Sequence, residues 1–291
     1  MRTNAEGSKD MEMKARAREN ITLYREYSWF QRITRKSYQS VVNVSSLRKI
    51  LSLAVAIIIW HLFSEYKIFP LARVPSPYEV LLETSRYVFT KQFWLCAVFS
   101  SGRVFVGMFA GCVIGIPLGI LIGWKRHFKN VVFPVFELMR PVPLLAWLPL
   151  SVLMFPLTEL SIVFLLFLAS GAPVVINTIL GVENIPTTCI NAALSLGSKP
   201  RDILIRVILP GALPSICTGV AIGIGFEWEA TVAAEMLSGG FGLGYMTWEA
   251  FILNIYPRVI MGMFAIGAAG YFFTGIVRAI GMQLTPWRKL F

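Results

Sequence analysis

Charge is sparse in this sequence. Only 15% of its 291 residues are Asp, Glu, Lys or Arg, and 56% are hydrophobic; soluble domains carry about 25% charged residues. An ordinary water-soluble domain is excluded, and apolar runs of about 20 residues, long enough to cross a bilayer, are expected. Histidine is scarcer still: His61 and His127 lie far apart and form no HExxH pair. The four cysteines, Cys96, Cys112, Cys189 and Cys217, show no CxxC spacing, which argues against a metal or disulfide framework. They read as small apolar side chains. No GxxxxGK[ST] loop occurs, so the backbone cradle that ATP phosphates need is missing. With no nucleophile motif and no paired metal ligands either, the chain is not expected to be an enzyme or to hold a cofactor or metal. No secretory signal peptide is expected, because the first apolar run follows a long polar, basic stretch.

What is abundant is apolar sequence, with a mean hydropathy of +0.65. Apolar runs cover about 47–63, 93–123, 131–155, 160–181, 207–237 and 256–282. They predict an all-α membrane protein with six transmembrane helices and both termini on one side. The net charge of +11 would suit nucleic acid only if gathered on a soluble face. Instead the basic residues crowd the stretch before the first span, from Arg2 to Lys49. They recur in the loop after the second span (Lys125, Arg126, Lys129), after the fourth (Lys199, Arg201, Arg206) and in the tail (Arg288, Lys289). The other face offers Lys67, Arg73, Arg86 and Lys91. Excess Lys and Arg mark the cytoplasmic side, so both termini are expected there, and no nucleic-acid partner is.

The reading divides the chain into a cytoplasmic N-terminal segment (1–46), a six-span domain (47–282) and a cytoplasmic tail (283–291). Residues 1–20 read as disordered. Leu23, Tyr27 and Phe30 share a helical face opposite Arg25, Arg32 and Lys36, which suits either a helix lying in the membrane interface or a solvated charged helix.

The second span carries Gly107, Gly111, Gly115, Gly119 and Gly123, a spacing that admits a close neighbouring helix. Since four residues exceed one 3.6-residue turn, the ridge should wind around the helix. Pro141, Pro143, Pro149, Pro173, Pro210 and Pro214 fall in or beside spans and should kink or break them. Such breaks are tolerated where they line a protein-enclosed cavity, so the bundle reads as a conduit.

Between the fourth and fifth spans stands Asn191-Ala192-Ala193-Leu194-Ser195-Leu196-Gly197, followed by Leu209-Pro210-Gly211-Ala212-Leu213-Pro214. A short helix, a glycine turn and a proline-broken start to the next span are expected there. The pattern resembles the EAA loop of binding-protein-dependent ABC importer permeases, with consensus EAA-x3-G and then LP-x-x-LP. Val74-Pro75-Ser76-Pro77, Ser101-Gly102-Arg103-Val104, Gly115-Ile116-Pro117-Leu118-Gly119, Arg140-Pro141-Val142-Pro143 through Ala146-Trp147-Leu148-Pro149, Ala234-Glu235-Met236 and Gly242-Leu243-Gly244 are similar to the nitrate/sulfonate/taurine branch of that family. The resemblance runs from about Val74 to the C-terminus.

It implies a type I ABC importer permease fold in the bacterial cytoplasmic membrane. The segment at about 184–200 would be a coupling helix seated in a groove of the ATPase subunit through Asn191, Ala192, Ala193, Leu194 and Gly197. The implied partners are ATP-binding subunits, which would hold ATP and Mg, an extracytoplasmic substrate-binding protein, a second permease copy and membrane lipid. The implied cargo is a small oxyanion such as nitrate, a sulfonate, taurine or bicarbonate. Two departures stand out. Asn191 replaces the usual Glu, removing a charge but keeping an acceptor. Phe155-Pro156-Leu157-Thr158-Glu159 replaces a glycine-rich turn, which should be stiffer.

Ionisable residues in spans are functional candidates by default. Arg103 and Arg140 could attract an anion, but the favoured reading is that Arg103 snorkels to the outer interface and Arg140 braces the broken backbone. Glu227 and Glu229 point to roughly opposite sides of the fifth span, and Glu235 lies about 80° from Glu227, so the three cannot share one pathway. Trp147, Trp228 and Glu235 complete the candidate translocation path with the two arginines. The alternative is an ion-coupled secondary transporter relaying protons near Glu227 and Glu235, although the internal repeats common in such carriers are not seen.

Overall fold

The computed structural model describes residues 48, 51–66 and 74–287. The proposed interfacial helix, the N-terminal segment and the last four residues lie outside them. The chain divides into two compact units, 1–73 and 74–291. In the first, a single apolar helix, α1 (Leu51–Glu65), is described. Every described element is helical, and no strand occurs among the described residues.

The second unit opens with α2 (Pro77–Tyr87). Its start is encoded locally: the Glu79 N–H donates to Ser76 Oγ at 3.3 Å, and the Ser76 N–H donates to Glu79 Oε2 at 3.0 Å. Pro77 supplies the fixed φ of a first helical residue. The long helices are α3 (Lys91–Trp124), α6 (Thr158–Glu183), α9 (Leu209–Ser238) and α11 (Tyr256–Leu284). Between α3 and α6 lie α4 (Arg126–Met139), a 3₁₀ turn (Leu144–Trp147) and α5 (Leu148–Met154). Between α6 and α9 come α7 (Thr187–Ser195), α8 (Pro200–Ile203) and a π-helical turn (Leu204–Ile208). A short helix, α10 (Leu243–Ile252), separates α9 from α11.

The glycines of α3 fix its partner. A Cβ at Gly107, Gly111, Gly115, Gly119 or Gly123 would press on Leu166, Ser170, Val174, Thr178 or Val182 respectively. Both rows advance by four residues in the same direction, so α3 and α6 run parallel, ridge against ridge. The expected winding is met by an equal winding of the partner, which is why contact persists along the whole pair. In the same way Gly223 meets Ser170, Gly219 meets Asn177 and Gly181 meets Ser215, making α9 antiparallel to α6. Gly281 lies on Cys217 and Gly270 on Trp228, so α11 runs back along α9.

This pairing settles how the broken segment runs. Because α3 and α6 are parallel, the chain must return the full bundle length between them. Val132 and Phe133 of α4 pack near Ile122 and Ile179 at one end, while Ser161 Oγ donates to Ser151 O at the other, at 3.1 Å. Thus α4 and α5, bent by 94°, run as one broken passage, and among the described residues four helices are long and apolar enough to cross a membrane, or five crossings with this bent pair counted as one.

The prolines divide into two groups. Pro141 and Pro143 sit at the 94° elbow, as expected. Pro149 and Pro210 instead stand in the first turns of α5 and α9, and Pro173 and Pro214 lie inside helices that continue through them. The chain absorbs Pro210 by a change of register: the Leu209 N–H reaches back five residues to Leu204 O, widening the turn just before the residue that has no N–H to give.

Candidate functional site

Three features of the second unit carry chemistry or surface that packing alone does not use. The first is α7 and the turn after it. None of its side chains is buried; Asn191, Ala192, Leu194 and Leu196 are exposed and Ala193 half-buried. Its stop is a glycine cap: Gly197 takes φ 78°, its N–H donates to Leu194 O at 2.9 Å, and the Ser198 N–H donates to Ala193 O at 3.1 Å. A residue with a Cβ would resist that left-handed conformation. The α7–α8 connection shares its end of the bundle with the α3–α4 junction and the C-terminal end of α11, since all three lie where α6 ends and α9 begins. Lys125, Arg126, Lys129, Lys199, Arg201 and Arg206 therefore gather there, against Arg86, Lys91 and Arg258 at the far end.

The second feature is an open-sided cavity of about 600 Å³ walled by the elbow, α3, α6 and α9. Phe136, Leu144, Trp147, Phe167 and Phe226 supply apolar wall, and Arg140 and Asn177 bring polar groups to it. Arg140 caps α4, is exposed and has no ion pair among the described residues. Trp147 ends the 3₁₀ turn and also packs on the cluster around Leu165 and Ala230. The elbow prolines thus bring two of the candidate path residues to one cavity. Asn177, a lone amide in an apolar run, was not singled out from the sequence, although its intramembrane position was a legible signal.

The third is a buried polar network at the far end. Arg103 Nε donates to Glu159 Oε2 at 2.8 Å, and its Nη1 donates to Glu235 Oε1 at 2.7 Å and to the Phe241 carbonyl. Snorkelling is therefore not how Arg103 is satisfied: two carboxylates and a carbonyl offer better partners than interfacial water, and the residue is only 7% exposed. Glu235, fully buried, accepts from Ser100 Oγ at 2.8 Å and from the Gly244 N–H at 2.9 Å as well. Ser100 Oγ in turn accepts from the Leu243 N–H at 2.9 Å. The carboxylate thus sits at the N-terminus of α10, where backbone donors have no partner within the helix. Glu159 and Ser100 were missed as members, because nothing in sequence joins residues 56 and 135 positions apart to Arg103 and Glu235.

The remaining candidates are placed apart. Trp228 is 4% exposed, packs against Phe273 with ring centroids 5.9 Å apart and does not line the cavity. Glu229 is exposed, whereas Glu227 is fully buried, as their opposed directions on α9 require. The Glu227 carboxylate, the Trp228 indole nitrogen and the Thr231 hydroxyl have no hydrogen-bond partner among the described residues. No group of three or more His, Cys, Asp or Glu side chains suited to a metal ion occurs among the described residues. A proton relay through Glu235 gains no support, since both its oxygens are engaged.

Comparison with known proteins points the same way. Residues 115–285 match the family described as binding-protein-dependent transport system inner membrane component. The taurine transport system permease protein of Escherichia coli is 35% identical, over 81% of this chain and 88% of that one. A nitrate import permease protein of Leptolyngbya laminosa is 38% identical, over 67% of this chain and 69% of its own. Among solved structures, an amino acid ABC transporter aligns with a TM-score of 0.56 at 20% identity, covering 71% of this chain and 98% of that one, a likeness of fold.

Proposed function

The chain belongs to the family of binding-protein-dependent transport system inner membrane components, and on that premise we propose that it forms one six-span half of an anion path. It is a multi-pass membrane permease of an ABC importer and not itself an enzyme. The sixth span is α1, which adds to the five crossings of residues 74–287 and puts both termini in the cytoplasm. The basic excess at the α7 end supports that orientation. The single observation that carries the coupling reading is α7 itself: a capped helix with no buried side chain, projecting from the basic end of an otherwise tightly packed bundle. Its exposed Asn191, Ala192 and Leu194 engage an ATP-binding subunit, which binds ATP and Mg in place of this chain. Asn191 lacks the charge of the usual Glu and contacts its partner by hydrogen bonding only.

Nucleotide-driven closure of the two ATPases moves α7, and the helices joined to it, α6 and α9, carry the motion to the cavity. This works only if ATP favours one arrangement over the other. A second copy of the chain completes the path, because the cavity here has walls on one side only. The cargo is a small oxyanion of the kind the relatives' names state, taurine or nitrate, or else a sulfonate or bicarbonate. Arg140 and Asn177 are the groups that meet it. Uptake by vesicles containing the permease, its ATPase and its binding protein tests the whole reading. Uptake should stop when the ATPase is omitted and should survive a proton uncoupler at fixed ATP. Uptake without the ATPase would refute it.

A further inference from the structure

Beside the Arg103–Glu235 network, and away from the transport cavity, lies a second cavity of about 290 Å³. It is lined by Gln92, Cys96, Gly239, Phe241, Tyr245, Met246 and Glu249. We infer that this cavity is a docking socket for a Lys or Arg side chain of the extracytoplasmic binding protein, with Glu249 as its counter-charge. The inference rests on the functional reading above and adds the surface where that partner is held.

Position comes first. The socket is built where α3 begins, where α9 has ended, and on α10, which places it at the end opposite α7. Its mouth is open, for Gln92 is exposed and Phe241 is 63% exposed. Electrostatics comes next. Glu249 is half-buried and has no ion pair among the described residues, and two arginines at the same end of the bundle are committed elsewhere. Arg103 is committed to Glu159 and Glu235. Arg258 lies over the Tyr87 ring at 4.2 Å and is paired with Glu83 at 2.7 Å. Tyr87 lies close enough to feel both Glu249 and Arg258; its phenol is held above the ordinary range, chiefly by burial. Both arginines are thus neutralised by other carboxylates, and Glu249 lines the cavity together with the Tyr245 phenol and the Gln92 amide.

The chemistry then selects the occupant. One carboxylate is too few oxygen ligands for a divalent metal. An anionic cargo or an anionic lipid headgroup would be repelled. A long basic side chain fits: its charged head reaches Glu249 and its aliphatic stem lies along Met246 and Phe241. A partner contact of this kind speeds and orients encounter and weakens with salt.

The test uses the full complex of permease and ATPase in lipid nanodiscs with the purified binding protein. The concentration of binding protein giving half-maximal stimulation of ATP hydrolysis is measured at low and high salt. Glu249→Gln should raise that concentration about tenfold at low salt and flatten its salt dependence, and Glu249→Asp should restore both. Glu249→Lys should weaken docking further, and one Lys→Glu or Arg→Glu change in the binding protein should recover it. A responsive wild-type complex alongside Glu249→Gln with unchanged concentration and salt dependence overturns the socket alone. So does failure of Glu249→Asp to restore them. A wild-type complex that ignores its binding protein overturns the functional reading and the socket together.

Discussion

The Glu235 carboxylate fills the space above Gly242 where a Cβ would stand. Gly242 also holds φ 157°, and Gly244, two residues on, donates its N–H to the same carboxylate at 2.9 Å. The two short motifs Ala234-Glu235-Met236 and Gly242-Leu243-Gly244 are therefore the two halves of one device, a buried acid and the socket that receives it. Gly242→Ala should lower the thermal unfolding midpoint of the detergent-purified protein well below wild type. Gly102→Ala should leave it nearly unchanged, since nothing lies within 4 Å of a Cβ there. Equal midpoints for the two variants would contradict the socket.

The two carboxylates that hold Arg103 should differ in weight. Glu235 is fully buried, whereas the Glu159 side chain is 62% exposed. Glu235→Gln leaves a buried guanidinium short of charge and should cost about 3–5 kcal/mol. Glu159→Gln removes a solvent-screened partner and should cost about 0.2–1 kcal/mol. Denaturation of the two variants in the same detergent decides the ranking, and a larger loss for Glu159→Gln would reverse it.

The α3–α6 seam should tolerate no bulk. At Gly119 an added Cβ would stand 2.6 Å from Thr178 Cβ and 2.8 Å from the Val175 carbonyl, backbone that cannot swing aside. Gly119→Val should abolish accumulation of monodisperse protein, while Gly267→Ala and Gly275→Ala, with nothing within 4 Å of the added Cβ, should express normally. Size-exclusion profiles after membrane extraction read the difference directly.

Loss of function at the cavity should be separable from loss of fold. Arg140→Gln and Asn177→Leu change groups that line it and that make no ion pair among the described residues. Each should cut uptake about tenfold, the discrimination of roughly 1.4 kcal/mol expected when one polar contact to the cargo is lost. Unfolding midpoints should stay near wild type. Wild-type uptake in both variants would remove this cavity from the path.

Much of this was legible in the residues, for identifiable reasons. Long apolar runs named the four long helices, the period-four glycines named a close helix partner, and the Asn191–Gly197 pattern named α7 and its glycine stop. Local signals were also present for α2: Ser76, Pro77 and Glu79 spell a capping box and a first-turn proline. What the sequence hid was long-range pairing. That Arg103 turns inward, that Glu159 and Ser100 join it, and that Pro210 is absorbed by a π turn all depend on which helices become neighbours. Proline, equally, marks a missing N–H but does not say whether the helix will break at it, as at Pro141 and Pro143, or adjust its register, as before Pro210.

The account turns on α7, and one crosslinking measurement addresses it most directly. Cysteine placed at Ala192, in a chain whose four native cysteines are replaced, is joined to its neighbours in the assembled complex with a short bifunctional reagent. The ATP-binding subunit should be captured, more strongly with ATP bound than without, and a membrane-impermeant thiol reagent should reach Ala192→Cys only from the cytoplasmic side. Capture of no ATP-binding subunit, or labelling of that position from outside the cell membrane, would contradict the account.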